Sequence, residues 1–207
     1  MRDLNALPDA SERRCFGVVA IRQGWEVEHV APAEALYDVG CTARLHTVRA
    51  QADGGFRIVT VGGDRFRLLD VVVGDDPPYL QGKVEWLASE EVAADTAAGD
   101  LTGLVRGVRD LFLEYVAEVA ALGVGRDDVE VATMLKAVAD DAAGLSWLVA
   151  SSALLTTEDR QQLLAESATR KRLRTEARML RRELTILQSI GAVPVPLQQF
   201  AAPMTVN

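Results

Sequence analysis

This chain of 207 residues is poor in the groups that carry most protein chemistry: it has two cysteines, two histidines and an aromatic content of 5%. Cys15 and Cys41 show no CxxC spacing and no histidine cluster beside them, which excludes a zinc knuckle and a disulfide framework. Each opens a strand-like pattern, where a free cysteine behaves as a small apolar side chain, and this usage fits a reducing cytoplasm. His29 and His46 fall in separate segments without HExxH spacing, so surface or edge positions account for both. No GxxxxGK[ST] loop is present to cradle a nucleotide phosphate, and the residues call for no metal and no cofactor. Positive charge is scarce as well. A net charge of -8 and a pI near 4.9 oppose non-specific attraction to DNA or to an anionic membrane. Long apolar runs are missing: the opening MRDLNALPDASERR has no hydrophobic core, and the stretch from Ala142 to Leu155 is too short and serine-containing to span a bilayer.

What the chain does contain is a set of strand-like segments followed by helix-like ones. Alternating patterns run from Phe16 to Arg22, Val39 to Val48, Phe56 to Val61, Arg65 to Val73 and Tyr79 to Leu87, separated by Gly, Asp and Pro. The string FRIVTVGGDRFRLLD reads as a hairpin, with Gly62-Gly63 supplying the positive φ angles of a tight turn. In the last segment Leu80, Val84 and Trp86 share one face, while Gln81, Lys83 and Glu85 share the other. The spacing predicts an antiparallel barrel or sandwich. Composition shifts in SEEVAADTAAG, between Ser89 and Gly99, and helical periodicity takes over.

A helix is predicted from about Asp100 to Leu122, with apolar residues every third or fourth position and Gly123 and Gly125 as its stop. Another is predicted from Asp127 or Asp128 to Asp140, with further helical turns from Gly144 to Leu155. Thr156 and Asp159 form a capping pattern for a helix that continues to Ile190, kinked near Ser167. Within it Leu173, Ala177, Leu180, Leu184 and Leu187 make the seam of one helix packed along another. The predicted layout is a β-rich subdomain over 1–90, a helical bundle over 97–190 and an extended, proline-containing tail over 191–207.

Two local patterns invite a chemical reading. Gly144-Leu145-Ser146-Trp147-Leu148 begins like a nucleophile elbow, but Leu148 stands where the sharp turn needs glycine, so Ser146 reads as a helical serine. Seven cations between Arg170 and Arg182 stand against the single Glu176, a local +6 in a chain of net -8. On a helix with an apolar seam such a run reads first as a solvated face whose arginines snorkel and pair with neighbouring carboxylates. An acidic partner or RNA is the alternative. Trp25, after Gly24 at a hairpin-tip position, is the leading candidate contact residue, with Arg65 and Tyr79 of the later strand segments as further candidates.

Together FGVVAIRQGWEVE, LYDVGCTARL, FRIVTVGGDRFRLLD and PYLQGKVEWL, followed by TEDRQQLLAESATRKRLRTEARMLRRELTIL, resemble the Lon substrate-binding domain family, the N-terminal domain of Lon proteases. The likeness runs from about Cys15 to Ile190. It implies an α+β fold, a PUA-like antiparallel β pseudo-barrel followed by a C-terminal helical bundle. It also implies a non-enzymatic recognition role: binding unfolded or damaged protein segments in protein quality control, as a stand-alone member without the ATPase and protease modules. Partners implied are such segments, a separate Lon protease, or a second copy through an open barrel edge. RNA binding through the basic helix face, or a peptidase-associated role, remain as alternatives.

The family opens with a proline-containing apolar strand, for which only Arg2-Asp3-Leu4 could stand here, so the first barrel strand is expected to be missing. Losing about four buried apolar side chains would cost on the order of 6–12 kcal/mol, comparable with the whole stability of a domain. An open strand edge invites association.

Overall fold

A computed structural model describes residues 14–22, 35–52, 54–73, 80–88, 98–122, 128–138 and 141–190. The chain divides into two compact units, Met1–Ser89 and Glu90–Asn207. The first holds strands and the second helices, in the α+β order the sequence predicts. The opening strand and the tail over 191–207 both fall outside the described residues.

The β unit is a four-stranded antiparallel meander in the order β1 (Cys15–Val18), β2 (Val39–Ala50), β3 (Phe56–Val73) and β4 (Leu80–Trp86). Here the glycine pair overturns the hairpin expectation. Gly62 and Gly63 lie inside β3, which runs unbroken for 18 residues, and neither has a positive φ. The tight connection is instead Gln51 to Gly55: the Gln51 amide donates to the Gly55 carbonyl at 2.8 Å, and Gly54 takes a φ of 83°. The reason for the glycine at 63 is room. Register slips between Cys41 and Ala43, and a Cβ on Gly63 would stand 2.5 Å from the Thr42 hydroxyl, so a side chain at the bulge would force that hydroxyl to turn away.

A second close approach builds the small core of this unit. Phe66 pairs with Gly40 on one side and Trp86 on the other, and it is only 3% exposed. Its ring covers the places where side chains would rise from Gly40 and Gly17; a Cβ on Gly40 would be 2.5 Å from the Val18 carbonyl oxygen and 2.7 Å from the ring. Gly40→Ala is therefore expected to destabilise the β unit by about 1–3 kcal/mol, since both neighbours must move. Gly62→Ala, with nothing within 4 Å of its Cβ, is the matched control. Urea midpoints measure both, and equal midpoints would show that the slot under Phe66 is not needed.

The helical unit comprises α1 (Ala98–Ala121), α2 (Asp128–Ala137), α3 (Ala142–Ser152), α4 (Thr157–Ala165) and α5 (Thr169–Ile190). The predicted seam is real: Leu173, Ala177, Leu180, Leu184 and Leu187 are all buried, and they join one core with Val108, Phe112, Tyr115 and Val119 of α1. Burying each large apolar side chain contributes about 1.5–3 kcal/mol. Thr156 caps α4 as its spacing suggests, its hydroxyl accepting from the Asp159 amide at 3.2 Å. Arg160 closes the end of α3 by donating to the carbonyls of Ala153 at 3.1 Å and Leu155 at 3.3 Å. Two helices replace the single kinked one expected across Ser167. The chain leaves α4 at Glu166, whose carboxylate accepts from the Ala168 amide at 2.9 Å, and restarts at Thr169.

Candidate functional site

Strand pairing sets out one apolar strip in the β unit. Because Phe66 faces Trp86 and Leu68 faces Val84, these four side chains lie on the same side of β3 and β4, and alternation along β4 adds Leu80. Phe66 is buried and Leu68 and Val84 are half-buried, whereas Leu80 is 52% and Trp86 61% exposed. The Trp86 ring stands edge-on to Phe66, 6.0 Å between centroids at 88°. That contact fixes the indole from beneath while leaving its outer face in solvent. The other side of the same strands is charged: Arg67 pairs with Glu85 at 3.5 Å, both well exposed.

Of the contact residues singled out by sequence, Arg65 lies in β3 opposite Cys41, on the reverse side from Phe66, and is only 5% exposed. Burial takes its side chain off the surface. Trp25 and Tyr79 lie outside the described residues. The two ends of the segment holding Trp25 are tied together, by the Ile21–Leu36 bridge, by the Arg22 amide donating to the Ala35 carbonyl at 2.7 Å, and by an Arg22–Asp38 ion pair at 3.0 Å. Trp86 is an exposed aromatic that sequence reasoning placed on a face without foreseeing its exposure. Its signal in the sequence was a tryptophan near the end of an alternating strand pattern. His46 is exposed on β2, and burial pushes the Cys41 thiol up from its ordinary range.

The helical unit carries its polar groups in a different way. Arg172 of α5 is 2% exposed and lies over the Trp147 ring, 3.8 Å from its centroid. Its Nε donates to Ser146 Oγ at 2.7 Å, and its two terminal nitrogens donate to the Glu166 carbonyl at 2.7 Å and to Thr169 Oγ1 at 3.2 Å. Ser146 is the helical serine expected: it is buried in α3 and donates to the Ala143 carbonyl at 3.0 Å. One turn beyond Arg172, Glu176 is fully buried with neither carboxylate oxygen hydrogen-bonded, and burial raises its pKa to about 8 against a smaller opposing pull from Arg172. Arg182 pairs with Asp159 and with the buried Glu183, and those hydrogen bonds hold its guanidinium still more firmly protonated. Among the described residues no group of His, Cys, Asp and Glu is arranged to hold a metal, and no helix is long and apolar enough to cross a membrane.

Residues 2–182 match the family described as the ATP-dependent protease La (LON) substrate-binding domain. The chain belongs to that family. Lon protease 1 of Herpetosiphon aurantiacus is 24% identical over 85% of this chain, and Lon protease of Anaeromyxobacter dehalogenans is 26% identical over 86%. This Lon-type chain spans about a fifth of those relatives' length, the matched part being 20% of each. Among solved structures, the N terminal domain of Mycobacterium avium complex Lon protease superposes with a TM-score of 0.52 at 20% identity, covering 75% of this chain and 74% of that one. That likeness supports the same fold, an antiparallel sheet followed by helices.

Proposed function

We propose that this Lon-type domain is a non-catalytic recognition module, working in the cytoplasm, that binds flexible or unfolded polypeptide along the apolar strip of β3 and β4. The observation that carries the reading is Trp86: a large aromatic held edge-on by Phe66, 61% exposed, with exposed Leu80 further along the same strand. An indole fixed from beneath loses little side-chain entropy on binding, which is how aromatic residues come to dominate interfaces. Family membership supports a substrate-binding role, with Lon-type proteolysis as the process that receives the captured segment. Protein quality control is the process this implies.

Trp86→Ala is the direct test. Titrating a labelled, permanently unfolded carboxymethylated protein against wild type and variant is expected to show about ten-fold or greater weakening, the effect of removing one hot-spot aromatic. Melting should change little, because the side chain is mostly exposed. Equal affinities for the two proteins would reject the strip as the site.

A further inference from the structure

We propose that the outward side of α5 is a docking surface for an acidic helical segment of a partner polypeptide, separate from the apolar strip of the β unit. Lys171, Arg174, Arg178 and Arg181 are all exposed, and their spacing of three, four and three residues puts them on one side of the helix, opposite the buried seam. Sequence alone sets Glu176 against this charge. In the fold that neutralisation fails, because both carboxylates of α5, Glu176 and Glu183, are turned inward at 0% and 3% exposure. Glu183 and Asp159 are engaged by Arg182. Glu114 and Glu118 of α1 meet Gln188 at 3.4 Å, beyond the C-terminal end of the stripe. Arg174 is already engaged, so the argument rests on Lys171, Arg178 and Arg181, which among the described residues form no ion pair.

The chemistry of the partner follows from spacing and surroundings. Lys171, Arg178 and Arg181 are separated by seven and three residues, about 10.5 and 4.5 Å along the axis, and a second helix presents glutamates at the same intervals when they recur every third or fourth position. A nucleic acid fits less well. The exposed side of α5 carries no aromatic on which a base could stack, since the nearby Trp147 ring is covered by Arg172, and the chain as a whole carries -8. A short acidic helix meets the stripe without extending across the acidic remainder.

The test is fluorescence anisotropy on the full chain at low salt. The probes are a labelled peptide of about 20 residues with glutamates at alternating third and fourth positions, its glutamine counterpart, and a single-stranded RNA of equal charge. Expected results are binding of the acidic peptide, loss of binding for the glutamine peptide, and weakening by about ten-fold or more in the triple variant Lys171→Glu, Arg178→Glu, Arg181→Glu. Reversing Arg49 and Arg57 in the β unit should leave the affinity within about two-fold. If the glutamate variant melts early, the triple glutamine variant replaces it and should show the same loss in smaller measure. No binding by wild type, indifference to both triple variants, or tighter binding of the RNA would each overturn the proposal. None of these outcomes touches the Trp86 reading, which is measured with a different probe on a different unit.

Discussion

Replacing Arg172 by alanine is expected to cost the helical unit about 3–5 kcal/mol, the range seen when one member of a buried polar set is removed and its partners stay behind. The guanidinium is 2% exposed and joins three parts of the unit: Ser146 of α3, the Glu166 carbonyl in the break between α4 and α5, and Thr169 at the start of α5. Without it, the Glu166 carbonyl loses its donor and the face of Trp147 loses the cation seated 3.8 Å above it. Arg172→Lys should recover only a minor part, because one ammonium cannot reproduce a planar fork aimed at three acceptors. Arg181→Ala, an exposed change on the same helix, should stay within about 0.5 kcal/mol of wild type. Urea unfolding followed by helix content measures all three. A midpoint for Arg172→Ala close to that of Arg181→Ala would show that the junction holds without its arginine.

The contrast between those two arginines marks where sequence reading stops. Apolar periodicity found α5 and its seam because a 3.6-residue repeat of leucines is a direct image of the buried side, and the Thr156 cap was legible because its hydrogen bond spans three residues. Both features are local. Arg172 and Glu176 look from the sequence like members of a charged run, and only long-range packing against α1 and α3 decides that they go inside while Lys171 and Arg178 stay out. Gly62-Gly63 misled for the same reason. A glycine pair between strand patterns reads as a turn, yet here the need for glycine at 63 comes from Thr42, twenty-one residues away along the chain. For the candidate site, alternation put Leu80, Val84 and Trp86 on one face, but how far each is covered depends on the rest of the fold, and Val84 proved half-buried while Leu80 and Trp86 proved exposed.

The stability of the helical unit should fall as pH rises between about 4.5 and 8, and Glu176→Gln should abolish that part of the slope. In the unfolded chain the Glu176 carboxyl loses its proton near 4.5; in the folded unit, burial with no hydrogen-bond partner holds the proton until about 8. Below the lower value both states are protonated and the fold has its full stability. Between the two values only the folded state keeps the proton, so each pH unit removes up to about 1.4 kcal/mol. Above the higher value both states are ionised and the loss is complete. Glutamine keeps the shape and carries no charge at any pH. Its amide adds a constant offset of its own, so the decisive quantity is the difference between variant and wild type as a function of pH, in which other titrating groups cancel. That difference should move in favour of Glu176→Gln by several kcal/mol from pH 5 to pH 8 and then level off. Arg172 enters with a definite sign. Its positive charge pulls the Glu176 carboxyl down, so a protein lacking that cation should begin to lose stability at the same lower pH but continue losing it to a higher one. Parallel pH profiles for wild type and Glu176→Gln would mean that water or a neighbouring group reaches the carboxyl and holds it at its ordinary value.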